Sequence, residues 1–133
     1  MNKQELEVRT KRFALQVLKF LKTLGRDKAS EVLTFQLAKS ATSIGANYRE
    51  ANRASTHNDF IHKISIVEKE AAETQYWLEL CLDGELGDRI LANAALEESS
   101  QLLAIFTAVG RSAKANRGIK DNDQVPYLEE DSD

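Results

Sequence analysis

Side chains able to do chemistry are few in this chain, and their spacing decides what they could do. There are two histidines and one cysteine. His62 follows Asp59 in an Asp-x-x-His step. A di-iron bundle needs two Glu-x-x-His steps and two further glutamates, all pointing inward. One partial step near a helix end supplies no such set, so His62 reads as a surface histidine. His57 falls in a break between two helical stretches and is expected to face solvent or to cap. Cys81 lies on an apolar stripe, where a small buried hydrophobe is the default. A cysteine nucleophile would need a nearby base, and no spacing here supplies one. Glu70, Glu73 and Glu79 flank Trp77. Paired carboxylates can do acid/base work, but glutamates on a helix surface are usually solvated. No Gly-rich phosphate loop, Ser-x-x-Lys or His-Glu-x-x-His occurs. The expectation is a protein that is not an enzyme, with no catalytic residues, no cofactor, no metal site and no small-molecule substrate.

Residues able to bind are more numerous. Gln36, Lys39, Ser43, Asn47 and Glu50 fall within about 80° of one another at about 100° per residue. They border an apolar face, where small and amide side chains suit close helix packing or a hydrogen-bonded interface. Arg12, Lys19, Lys22 and Arg26 share another helical face, with Arg9 and Lys11 on its flanks. Clustered positive charge of this kind can meet phosphates, so nucleic acid is a candidate partner. No aromatic residues interleave with these bases, so stacking on single strands is not indicated. Apolar residues also recur off the core-facing stripes: Val8, Leu15 and Leu18; then Ile66, Trp77 and Leu80; then Leu96 and Leu103. Aromatic enrichment at interface centres makes these a candidate subunit interface and a homo-oligomer the expected partner.

Four helices must position these groups. Leu6, Phe13, Ala14, Val17, Phe20, Leu21 and Leu24 predict a helix over residues 3–24, with Gly25 as its left-handed C-terminal residue. Leu33, Leu37, Ala41, Ile44, Tyr48 and Ala51 predict a second over 30–54, capped by Asp27 or Ser30. Gly45 inside it costs about 1 kcal/mol against alanine, which suggests close approach of a neighbouring backbone. Phe60, Ile64, Val67, Ala71, Thr74, Leu78 and Cys81 predict a third over 59–82. Ile90, Leu91, Ala94, Ala95, Leu102, Ile105 and Val109 predict a fourth over 88–115, with Gly110 marking fraying or a kink. Short connections make neighbours antiparallel, so the expected fold is an all-α, up-down-up-down four-helix bundle over residues 1–115. Residues 116–133 hold the single proline, Pro126, and end in a run of acids. They read as a disordered tail in which Val125–Leu128 could dock.

Composition agrees with this outline. The chain has 133 residues, 42% hydrophobic and 29% charged. That length fits one domain. One proline and six glycines leave little room for a turn-rich β fold. Nothing in the chain reads as a membrane span or a signal peptide, and one cysteine cannot form an internal disulfide, so a cytoplasmic location is expected. The net charge of −3 hides a gradient. Residues 1–26 carry seven bases and two acids, whereas 55–83 and 116–133 each carry two bases and six acids. An acidic chain can therefore still present a basic surface at one helix.

The second predicted helix reads Gln36-Leu37-Ala38-Lys39, then Ser43-Ile44-Gly45-Ala46-Asn47-Tyr48-Arg49-Glu50-Ala51. The third has Phe60 near its start, then Lys69-Glu70-Ala71 and Tyr76-Trp77-Leu78. This pattern resembles the four-helix-bundle proteins of the 23S ribosomal RNA intervening-sequence family over roughly residues 5–115. That family shows Gln-Leu-x-Arg/Lys, Ser-Ile-x-x-Asn-Ile-x-Glu-Gly, Lys-Glu-Ala and Tyr-Trp-Leu. The resemblance implies a small bacterial protein that forms a ring-like homopentamer, with no catalytic residues to carry over. A related group, the accessory proteins of diversity-generating retroelements, is strongly basic and associates with nucleic acid and a reverse transcriptase. This chain departs from both in being acidic overall and in having Ala51 where the pattern has glycine, which lets the second helix run on.

Overall fold

A computed structural model describes residues 1–117. They form α1 (Lys3–Leu21), α2 (Lys28–Asn52), α3 (His57–Asp83) and α4 (Arg89–Ala115). At about 1.5 Å per residue these are rods about 28–40 Å long. Each starts at a side chain that accepts a hydrogen bond from its first turn: Asn2, Asp27, Thr56 and Asp88. Asn2 and Glu5 complete a reciprocal capping box, each side chain bonding the other's backbone N–H. α2 takes the Asp27 cap, and Ser30 is buried within its first turn. α3 begins earlier than its apolar period suggests, because Thr56 accepts from the Asp59 amide at 3.0 Å.

α1 packs on α2 and α4, and α3 packs on the same two; the diagonal pairs make no close backbone approach and meet only through side chains in the core. The bundle is therefore a square, up-down-up-down, with α1 and α3 at opposite corners. Its core takes the stripes from Leu37 to Ala51 and from Phe60 to Cys81. Tyr48 sits at the centre with its ring edge-on to Phe106, centroids 5.2 Å apart. At Gly45 α1 and α2 approach closely, since a Cβ there would lie 3.0 Å from the Thr10 hydroxyl. α2 runs through Ala51 to Asn52 without a glycine.

Four expectations need correction. α1 stops at Leu21, and a tight turn follows in which Thr23 and Leu24 donate to carbonyls three residues back. Gly25 is not left-handed; the positive φ angles fall at Glu85 and Gly87 in the α3–α4 connection. Gly87 is required there, because a Cβ would meet the Phe20 ring and Thr23 within 2.8 Å. Ile90 is 80% exposed and Ala94 is also exposed; α4 instead buries Ala92, Ala95, Ser99, Leu102, Phe106 and Val109. Gly110 neither frays nor kinks: it is buried in a helix continuing to Ala115, against Ile64 and Glu68. Residues 118–133, with the expected disordered tail and its Val125–Leu128 patch, lie outside the described residues.

Candidate interaction surface

The α2 polar stripe lies along the α2–α3 seam. Beneath it the hydroxyls of Ser40 and Thr74 share a buried hydrogen bond of 2.8 Å. At one end Lys63 donates to Glu50 at 2.6 Å. Between these, Ser43 donates to the Lys39 carbonyl at 2.6 Å and Asn47 to the Ser43 carbonyl at 2.9 Å. Most of the stripe is thus satisfied within its own bundle. This suits close helix contact and leaves little directed outward.

The facing side of α3 differs. Ile66, Glu70, Glu73, Trp77 and Leu80 fall within about 80° of one another at about 100° per residue. Ile66 and Trp77 are half-buried and Leu80 is exposed. The Tyr76 ring leans on Trp77, centroids 5.2 Å apart, and is itself exposed. Burial, and then the neighbouring Glu73 carboxylate, push the Glu70 carboxyl above the usual range; Lys69 and Lys39 partly oppose this. Glu70 Oε1 and Trp77 Nε1 are both buried and without a hydrogen-bond partner among the described residues. They lie two helical turns apart on one strip. Unpaired buried polar atoms are rare and costly in a native chain, by about 1–3 kcal/mol each.

The two candidate groups from the sequence, the α2 stripe and the α3 apolar residues, therefore form one continuous surface. The other predicted interface residues lie elsewhere. Leu15 and Leu18 stand exposed on α1 at the opposite corner, and Leu96 and Leu103 are half-buried on α4 against the edge of the core.

Among the candidate phosphate-binding bases, Arg9 is engaged inside the bundle. It binds Glu98 through Nε (2.6 Å) and Nη2 (2.9 Å) and reaches Gln101 at 2.7 Å. The Glu98 hydrogen bond and charge hold its pKa above the ordinary arginine value despite partial burial. Lys11, Arg12, Lys19, Lys22 and Arg26 remain exposed, with no ion pair among the described residues.

His57 corrects an expectation: it is buried, with Nε2 2.9 Å from the Ala113 carbonyl, and so ties the start of α3 to the end of α4. His62 is exposed as expected, and burial raises the Cys81 thiol above its usual range, away from the reactive thiolate. Val32, Phe35 and Tyr76 are exposed apolar residues that the periodicity did not single out. Tyr76 could have been found from its place one turn before Leu80.

The fold defines an all-α protein of the antiparallel four-helix-bundle class. Among the described residues no group of His, Cys, Asp and Glu is placed to hold a metal ion, and no helix is long and apolar enough to cross a membrane. Residues 3–108 match the family model described as 23S rRNA-intervening sequence protein. The chain belongs to that family. A solved structure, a protein of unknown function from the S23 ribosomal protein family of Bacteroides thetaiotaomicron VPI-5482, is similar at 33% identity. Its TM-score is 0.72, with 79% of this chain and 97% of that one covered. No curated protein matches.

Proposed function

We propose that this protein is a non-enzymatic assembly module that self-associates into a ring-like homo-oligomer through the α2–α3 surface. Five copies is the number that the family resemblance suggests. The observation that carries the reading is the apolar face of α3, where Tyr76 and Leu80 are exposed and Ile66 and Trp77 only half-buried. A second polypeptide packed on this strip would shield that apolar area. Rings of identical subunits form when one patch meets a different patch on the next copy and the rotation closes.

The test is native mass by light scattering for the wild type, Trp77→Asp and Leu80→Asp. Both variants should run as helical monomers while the wild type runs as an oligomer. Leu80 is exposed, so its replacement tests the contact without opening the core. An unchanged oligomer mass in Leu80→Asp would remove α3 from the interface.

A second reading is favoured by one observation, the exposed bases on α1 that lack ion pairs within the bundle. In it the protein is a nucleic-acid-binding accessory module, and Arg12, Lys19 and Lys22 meet phosphates. Changing all three to glutamate should then abolish binding to a mixed-sequence RNA or DNA duplex at low salt. Binding that survives the change would exclude this face.

A further inference from the structure

The solvent face of α1 carries a strip in which apolar and basic side chains alternate. Val8, Arg12, Leu15 and Lys19 fall within about 60° of one another at about 100° per residue. Val8 is 50% and Leu15 57% exposed. Arg12 and Lys19 are exposed, with no ion pair among the described residues. Arg9 and Gln16, which line the α1–α4 cleft, come next to Arg12 around the helix, so the strip borders α4 rather than α2. At the N-terminal end of the strip Met1, Gln4, Glu5, Val8, Arg9 and Arg12 line an open groove. Glu5, the carboxylate of that groove, is taken up by the Asn2 amide at 3.1 Å.

α4 leads into residues 118–133, which hold one base and six acids, a net charge of −5. An apolar run, Val125-Pro126-Tyr127-Leu128, stands directly before the acids Glu129, Glu130, Asp131 and Asp133. Residues 1–26, with seven bases and two acids, carry the opposite charge, +5. The run offers apolar side chains for Val8 and Leu15, and the acids offer carboxylates for Arg12 and Lys19.

We infer that residues 125–133 seat on the α1 strip of their own chain. The inference stands apart from the α3 contact proposed above. Seated, this segment shields the apolar side chains and neutralises the bases, so this face of α1 opens to another anionic partner only on its release.

Level and length both fit. Arg9 binds Glu98 and Gln101, and the Asp88 amide donates to Thr23 Oγ1. α1 and α4 run antiparallel, so residues whose numbers sum to about 109 are level. Arg117 then lies about 24 Å beyond Val8 along the bundle axis, at about 1.5 Å per residue. Neighbouring helices are about 8–10 Å apart, which makes the path about 26 Å. At about 3.3 Å per residue, a chain extended from Arg117 to Val125 spans that path. From Tyr127 to Asp133 the reach is about 20 Å, against about 16 Å from Val8 to Lys19. The acids therefore come level with Arg12 and Lys19 when the apolar run is at Val8. Hydrogen bonds between charged groups and burial of exposed apolar area both favour this seat. Glu97, exposed on the neighbouring edge of α4, opposes it, and Lys22 beyond Lys19 offsets that.

The test is zero-length carbodiimide coupling, which joins a carboxylate to an amine only where the two touch. Full-length wild-type protein is coupled at low salt, digested and read by peptide mass spectrometry. Isotope-labelled and unlabelled chains are unfolded and refolded together beforehand, so that a link between two chains shows mixed isotopes. Residues 129–133 should couple to Lys19 or Lys22 within one chain, about fivefold or more above coupling to the exposed Lys39 and Lys69, and high salt should remove that excess. Val8→Ser with Leu15→Ser, both at exposed positions, should cut these links about threefold or more, because the apolar seat is gone. No links, or links spread evenly over Lys19, Lys39 and Lys69, would overturn the inference. Links to Lys19 with mixed isotopes would overturn it too, by giving the strip to the tail of another copy. Unchanged links in the double variant would remove Val8 and Leu15 as the seat and overturn it as stated. The α3 contact is decided separately, by native mass.

Discussion

Gly45→Ala measures how closely α1 and α2 pack, and its sign follows from two opposing effects. Alanine favours an α-helix over glycine by about 1 kcal/mol, so in an open position the change would stabilise. Position 45 is not open. The new Cβ would lie 3.0 Å from Thr10 Oγ1 and 3.3 Å from Thr10 Cβ. Thr10 is fully buried, and its hydroxyl donates to the Glu7 carbonyl at 3.0 Å. A β-branched side chain in a helix has few other rotamers to escape into. Relief must come from moving α1, and overpacking of this kind costs about 1–3 kcal/mol. Taking about 2 kcal/mol for the clash against about 1 kcal/mol of propensity leaves a net loss of about 1 kcal/mol, roughly 3–5 °C in Tm. The assay is thermal and urea unfolding of wild type, Gly45→Ala, Thr10→Ala and the double variant. With the Thr10 hydroxyl gone only the 3.3 Å contact to the Cβ of residue 10 remains, so Gly45→Ala should cost less or become neutral, and the cycle should show coupling of about 1 kcal/mol. A single Gly45→Ala that raises Tm, or a cycle with no coupling, would refute the close-approach argument.

Two further outcomes follow from the same contacts. The raised Glu70 pKa means that the folded chain holds this proton more tightly than the unfolded chain does, so its contribution to stability is present in acid and lost as pH rises through the folded value. Glu70→Gln should therefore gain stability relative to wild type on going from about pH 4 to about pH 8; an unchanged difference across that range by urea unfolding would show that the carboxyl is not destabilised by its surroundings. Arg9→Met should cost about 1–2 kcal/mol, because it leaves the three-quarters-buried Glu98 without its two-pronged donor; a loss below about 0.3 kcal/mol in thermal unfolding would mark the pair as an ordinary surface ion pair.

The core was legible in the sequence where the helical period was strong and unbroken. Every residue assigned inward on α3, from Phe60 to Cys81, is buried, as are Leu37 to Ala51 on α2. The chain ends of the helices were less legible, because capping is a competition among neighbours: Asp27 beat Ser30, and Thr56 drew two extra residues into α3. Ile90 misled because one apolar residue beside a cap carries no phase of its own, whereas Phe106 and Ser99 further on set the true face of α4. His57 was out of reach for a different reason. Its partner is a carbonyl 56 residues away, and only the closed bundle brings the two together.

The surface was legible in its parts and not in its arrangement. The α2 polar stripe and the α3 apolar residues could be found from spacing, but not that they share a seam. Arg9 reads as one of a row of bases, and only the fold shows that Glu98 and Gln101 hold it inside. The buried, unpaired atoms of Glu70 and Trp77 have no signature in sequence, since their burial is set only when the helices pack together.

The most direct test of the account is the native mass of the full-length wild-type protein at low salt, by light scattering on a sizing column with absorbance at 260 and 280 nm. The account predicts a nucleic-acid-free species of several protomers, near five times 14.9 kDa, that persists in high salt. A monomer at every concentration tried would contradict self-association. A heavy species rich in 260 nm absorbance that breaks up in high salt would replace it with the nucleic-acid-binding reading.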